Sequence, residues 1–192
     1  GAKRTSYIIS PAALARLARI PGLLAIVVLR DPVDMAERAY LHAIGPCLES
    51  SAEVPFPGLD ECVASGCRIP CSGEPDPFDL GPFLSMASQL RAAVTAFGPR
   101  RLLVVDTEEM DSGGYAHLDA VAAFLGARRP FPRAAPVLRR NSRELDRGEL
   151  STADLRRRVR ARPGGAAGLR AGVAELRRAL ASERRRLCEL FH

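Results

Sequence analysis

Two short aliphatic runs constrain this chain more than any other feature. Leu23 to Leu29 reads LLAIVVL and Leu102 to Val105 reads LLVV. Pro21-Gly22 precedes the first run and Arg30-Asp31-Pro32 follows it, while Gly98-Pro99 precedes the second. Runs of this length, rich in β-branched residues and bounded by turn signals, suit strands buried on both faces, as in a parallel sheet. A parallel pair needs a long crossover, usually helical. The intervening sequence supplies one: Phe83, Met86, Leu90, Val94 and Phe97 recur at helical spacing. PAALARLARI, residues 11–20, reads as a helix with Ser10 as its cap and Pro11 in its first turn. Val33 to Ile44 is helical in pattern, and Tyr115, Leu118, Val121 and Leu125 mark another helix that Gly126 stops. This alternation predicts an α/β fold, a parallel sheet flanked by helices. Ligands of such sheets bind at the carboxyl ends of the strands. Here those ends carry Arg30-Asp31 and Asp106-Thr107-Glu108-Glu109.

Residues 45–80 break the pattern. They hold six of the fifteen prolines and four of the five cysteines, and read as a Cys/Pro-rich loop insertion in a single domain spanning 1–192. Cys62, Cys67 and Cys71 follow a C-x4-C-x3-C spacing with no His nearby. Tetrahedral zinc sites use four ligands at tighter paired spacing, so no metal is expected. Disulfides in an oxidising compartment and free thiols remain the alternatives. A bridge is expected among Cys47, Cys62, Cys67 and Cys71, with Cys188 left out on the last helix; an odd count leaves at least one thiol unpaired.

The net charge of +6 is uneven. Residues 1–138 carry 13 Lys and Arg against 15 Asp and Glu; residues 139–192 carry 15 against 7. Lys3 is the only lysine. A basic, helical carboxyl-terminal region at 139–192 points to an anionic partner (phosphate, sulfate, nucleic acid or an acidic lipid surface) or to a solvated helix face. Within it, helices are expected at about 151–161 and from Val173 to Leu190, joined by the loop ARPGGAAG, Ala161 to Gly168. No apolar run reaches the roughly 20 residues of a bilayer span, and no amino-terminal signal pattern is visible. The chain begins with Gly1, so any membrane anchor is expected only upstream of it.

One ordered set of motifs carries a family resemblance. KRTSYIISPAALARL, from Lys3, is followed after a short gap by LLAIVVLRDPVDMAERAYLH, ending at His42. This resembles the sulfotransferases that use 3′-phosphoadenosine 5′-phosphosulfate (PAPS), and is most similar to the Golgi-type carbohydrate enzymes, including those acting on heparan sulfate, and to their bacterial relatives. Lys3, Thr5 or Ser6, and Tyr7 resemble the family's Lys-Ser/Thr-x-x-Tyr segment. Arg30, Asp31, Pro32, Val33, Ala36 and Tyr40 resemble its Arg-Asp/Asn-Pro-Val motif. The stretch from Gly81 to Met110 resembles the family's Gly-x-Tyr helix, strand and Glu-Asp-Leu turn, with Phe83 for the Tyr and Glu108 for the Glu. AVAAFLGA and VAELRRALASERRRLCELF are similar to its later helices. Residues 45–80 and 128–165 lie outside the resemblance.

The resemblance implies a P-loop-NTPase-like sulfotransferase fold, incomplete at the amino terminus, and transfer of a sulfuryl group from PAPS to a hydroxyl or amine, on a carbohydrate. It implies Arg30 on the 3′-phosphate, with Arg38 at the position of a phosphate-contacting serine, and Lys3 as the catalytic cation beside the transferring group. Glu108 is expected to orient neighbouring loops. The implied partners are PAPS or its product adenosine 3′,5′-bisphosphate (PAP) and an acidic glycan or other carbohydrate acceptor, without nucleic acid; the implied location is the Golgi lumen. The sequence departs from the family at Met35, which replaces a second Arg, and at Arg38. It also contains no G-x-x-x-x-G-K-[ST] loop to cradle the 5′-phosphosulfate, so the chain is expected to begin just after that loop and to be inactive alone. Two alternatives remain: a non-catalytic sulfotransferase-like interaction domain, and an Arg-rich nucleic-acid-binding protein, which the scarcity of aromatics disfavours.

Overall fold

The computed structural model describes residues 8–50, 54–71, 76–107, 115–128 and 151–191. In chain order the elements are α1 (Pro11–Ala18), β1 (Ala25–Leu29), α2 (Pro32–Glu49), α3 (Leu59–Ser65), β2 (Cys67–Ile69), β3 (Asp76–Phe78), α4 (Gly81–Leu84), α5 (Met86–Phe97), β4 (Leu102–Asp106), α6 (Tyr115–Phe124), α7 (Thr152–Ala161), α8 (Gly165–Ala179) and α9 (Ala181–Phe191). They fall into two compact units, one of Gly1–Arg30 with Ser85–Arg139, the other of Asp31–Leu84 with Arg140–His192.

The first unit contains the predicted parallel pair. β1 and β4 run parallel, from Ala25 opposite Leu102 to Leu29 opposite Asp106. Residues paired across a parallel ladder share a face. Ala25 and Val27, with Leu102 and Val104, pack against Leu14 of α1 and Ala93 and Phe97 of α5. Two α-helices end beside this core, and each leaves unpaired terminal carbonyls. Arg101 answers both: Nη1 donates to Ala18 O at 2.9 Å and Nε to Phe97 O at 3.3 Å. The same guanidinium lies 5.6 Å from the centre of the Phe97 ring, a cation–π contact. The opposite face corrects the sequence expectation. Ile26 is 37% exposed and Val28 58%. β1 is therefore covered on one face only, because α1 and α5 both pack on the side of Ala25 and Val27.

The second unit is helical and disulfide-linked. α2 buries Val33, Ala36, Tyr40, Leu41, Ile44 and Leu48 along one stripe, against Leu155 and Val159 of α7 and Leu169 and Leu176 of α8. The region expected as an irregular insertion holds regular structure. α2 runs on through Pro46 to Glu49, α3 follows, and β2 pairs antiparallel with β3, Cys67 opposite Phe78. These elements are too short for periodicity to reveal them, and are held by cross-links instead. Cys47 is bonded to Cys71 and Cys62 to Cys67, with Cα separations of 4.9 and 4.6 Å; Cys188 is a free, exposed thiol on α9. α3 also approaches α8 where only glycine fits. A Cβ on Gly172 would lie 2.5 Å from Leu59 Cγ and 2.7 Å from the Asp60 amide nitrogen. The expected single last helix is two, α8 and α9, meeting at the buried Leu180.

Candidate functional site

The parallel register fixes what stands at the strand ends. Since Leu29 is opposite Asp106, the next residues, Arg30 and Thr107, emerge together at the carboxyl end of the sheet. Arg30 Nε donates to Thr107 Oγ1 at 3.3 Å. A planar guanidinium steadied through its Nε beside a hydroxyl is a donor set suited to a phosphate or sulfate group. Lys3 and Glu108, the other expected residues of this region, lie outside the described residues.

The remainder of the Arg30–Tyr40 motif has structural work. Asp31 is the N-cap of α2: its Oδ1 accepts from the amides of Val33 at 2.8 Å and Asp34 at 3.2 Å. Pro32 occupies the first turn, where no amide donor is needed. The first-turn amides of α2 thus serve the chain's own carboxylate. Asp31 Oδ2 also pairs with Arg184 Nε at 2.7 Å. Val33, Ala36 and Tyr40 are core residues. The Tyr40 hydroxyl donates to Pro57 O at 2.8 Å. Burial, then the negative charges of Asp60 and Glu61, push this phenol above its ordinary range and keep it a neutral donor.

Arg38 is part of a charged network between α2 and α7. Its Nε meets Asp34 Oδ2 at 2.8 Å, one helical turn away, and its Nη1 lies 3.5 Å from Thr152 Oγ1. Arg156 of α7 grips Glu37 with two bonds, Nε to Oε1 at 2.7 Å and Nη2 to Oε2 at 2.8 Å, and reaches Asp34 at 3.4 Å. The hydrogen bonds that Arg156 donates to Glu37 chiefly hold it still further in its charged form. Arg30 and Arg38 belong to different compact units. The Asp34–Arg38 spacing is readable in sequence as an i,i+4 pair. The Arg156 partnership is not, because 119 residues separate it from Glu37.

The glycine turn before α8 carries the third feature. A cleft of about 580 Å³ is lined by Tyr40, Phe56, Asp60, Arg162, Gly164 and Gly165 among others. Gly164, at φ +72°, holds the left-handed turn that starts α8. Its surroundings are already engaged. The amides of Gly165, Ala167 and Gly168 donate to Arg162 O and Gly164 O. Arg162 stacks 4.7 Å from the Phe56 ring centre and donates to Val54 O at 3.4 Å. The Asp60 carboxylate stands over the first turn of α8, 3.4 Å from where a Cβ on Gly168 would sit. An acidic group there complements the helix dipole. The anion nearest this turn is therefore the protein's own.

No protein-family model, curated protein or solved structure matches the chain. Among the described residues, no group of three or more His, Cys, Asp or Glu side chains is arranged to hold a metal, and no helix is long and apolar enough to cross a membrane.

Proposed function

We propose that this chain is part of a PAPS-dependent sulfotransferase domain of the P-loop-NTPase-like kind, with Arg30 as the ligand of the 3′-phosphate. The observation that carries the reading is the Arg30–Thr107 pair at the carboxyl end of a parallel β1–β4 sheet, where nucleotides bind in α/β folds. The reaction is in-line transfer of the sulfuryl group to a hydroxyl or amine, on a carbohydrate. Lys3 stabilises charge on the transferring group, as cationic clamps do in phosphoryl transfer. The two disulfides support an oxidising compartment such as the Golgi lumen.

A second reading, a non-catalytic interaction domain, draws on Arg38. Its guanidinium is engaged by Asp34 and Thr152, a role within the α2–α7 contact that needs no phosphate. Since the 192 residues contain no loop for the 5′-phosphosulfate, the chain alone binds PAP weakly and does not turn over. One lost oxyanion donor costs about 10²–10³ in rate, and a missing loop costs more.

The test is calorimetric titration of the chain with PAP, beside a radiolabelled sulfate-transfer assay on this chain and on one joined to a family-type strand–loop–helix. Binding that Arg30→Ala abolishes, with turnover only in the extended chain, fits the proposal. PAP binding without turnover in the extended chain favours the non-catalytic reading. Absence of PAP binding by both chains refutes the nucleotide site.

A further inference from the structure

The cleft before α8 contains two half-buried side chains of opposite charge that do not pair with each other. Asp60 comes from α3 and Arg162 from the turn between α7 and α8, and both belong to the same compact unit. Among the described residues the Asp60 carboxylate accepts no hydrogen bond and forms no ion pair. Its charge is nevertheless felt by the Tyr40 phenol in the same cleft. Arg162 sets its Nη1 3.4 Å from Val54 O and its guanidinium over the Phe56 ring. Its Nε and Nη2 have no acceptor among the described residues. Glycine keeps the space around these groups open. A Cβ on Gly58 would collide with Asp60 Oδ1, and one on Gly168 would come within 3.4 Å of it. A Cβ on Gly165 would lie 3.6 Å from Arg162 Cβ. Gly165 and Gly168 are about 4.5 Å apart along the axis of α8 at 1.5 Å per residue. The carboxylate and the root of the basic side chain therefore flank one helical turn. Val54, Leu59, Val159 and Leu169 make the rest of the wall apolar.

We propose that this cleft binds a zwitterion, the free α-ammonium and carboxylate of an apolar amino acid or short peptide, with the ammonium on Asp60 and the carboxylate on Arg162. The inference is independent of the transferase reading and uses neither Arg30 nor Lys3. Charge selects the ligand class. A simple cation would meet Asp60 but also face the positive charge of Arg162. A polyanion such as PAP would meet Arg162 but face the Asp60 carboxylate. Like charges brought together in this way work against binding. A ligand with one charge of each sign satisfies both groups through charge-assisted hydrogen bonds and brings no net charge into the cleft. Asp60 supplies acceptors only, as an ammonium requires, and Arg162 donors only, as a carboxylate requires. The volume of about 580 Å³ is in the range of small-molecule sites. An apolar side chain on the ligand covers the wall of Val54, Leu59, Val159 and Leu169, which removes apolar surface from water.

The test is titration of the full chain, followed by amide chemical shifts in NMR, with four probes. Leucine and leucyl-leucine carry both charges, leucinamide lacks the carboxylate, and N-acetyl-leucine lacks the ammonium. The expected result is binding of the zwitterions, with each singly charged probe at least about tenfold weaker than leucine or leucyl-leucine, whichever binds more tightly. The tighter of those two names the source, a free amino acid or a peptide. Two variants locate each charge. Asp60→Asn is expected to weaken the zwitterion at least about tenfold and to remove its advantage over N-acetyl-leucine; Arg162→Gln is expected to remove its advantage over leucinamide. A merely structural role for either residue would weaken all probes alike. Circular dichroism of both variants checks that the fold is kept, and the four-probe comparison on the unaltered chain stands without them. Absence of binding by both zwitterions at about 10 mM, equal affinity for a singly charged probe, or a probe preference that both variants leave unchanged would each overturn the proposal.

Discussion

The two compact units solve the same problem, burying a helical stripe, with very different completeness. The unit around α2 closes its core. Tyr40, Leu41, Ile44, Leu176 and Leu180 are essentially inaccessible, two disulfides tie its shortest elements, and Gly172 admits α3 into near-backbone contact. The unit around β1 and β4 covers one face of β1 and leaves Ile26 and Val28 on the other exposed, although Val105 of β4, opposite Val28, is buried. The candidate nucleotide ligand Arg30 stands on the second of these, the more sparsely built. The residue proposed to bind the nucleotide is thus in the unit that leaves apolar residues of β1 exposed.

The sharpest way to break this contrast is a pair of core truncations. Leu176→Ala, at a fully buried site, is expected to cost about 2–5 kcal/mol. Val28→Thr on the exposed face of β1 is expected to stay within about 0.5 kcal/mol. Urea titration of both variants measures the difference; equal losses would remove the distinction between the units. Next in size is the Cys47–Cys71 bridge, which spans 24 residues. Replacing both cysteines by Ala is expected to cost about 3 kcal/mol in the chain-entropy description. Thermal unfolding of that variant, compared with the reduced wild type, separates this bridge from Cys62–Cys67.

A smaller effect is expected at the start of α7. Ser151 caps the helix, its Oγ accepting from the Asp154 amide at 3.1 Å while donating to Asp154 Oδ2 at 2.6 Å. Ser151→Ala is expected to cost about 1 kcal/mol. The hydroxyl of Ser151, more than any nearby charge, holds the Asp154 carboxyl below its ordinary range. A depressed carboxyl contributes stability above its unfolded pKa and loses it as pH falls through the folded value. The gap between wild type and Ser151→Ala is therefore expected to narrow below about pH 4, which a set of denaturation curves across pH would measure.

What could be read in the sequence follows from how local each signal is. Strand runs bounded by Pro-Gly and Asp-Pro turns declare themselves within seven residues, so β1, β4 and the helices between them were legible, and so was their parallel pairing. The exposed side of β1 was not, because covering a sheet face depends on how many helices pack there, and LLAIVVL reads the same either way. The short elements α3, β2 and β3 owe their existence to Cys62–Cys67, Cys47–Cys71 and the approach to Gly172, contacts with no periodic signature. At the candidate site, the position of Arg30 at a strand end was legible. That Thr107 would steady it depends on the register of two strands 77 residues apart. The engagement of Arg38 by Asp34 was written in their spacing, whereas the Asp60 carboxylate over the first turn of α8 required the α3–α8 packing to be seen.

These features give the account one direct test: the location of PAP on the chain. Backbone amide hydrogen exchange, compared with and without saturating PAP, reports each unit separately. The account predicts slowed exchange at Leu29–Arg30 and Asp106–Thr107, with that protection lost in Arg30→Ala and little change at Arg162–Gly168. Protection confined to the glycine turn at 162–168, persisting in Arg30→Ala, would contradict it.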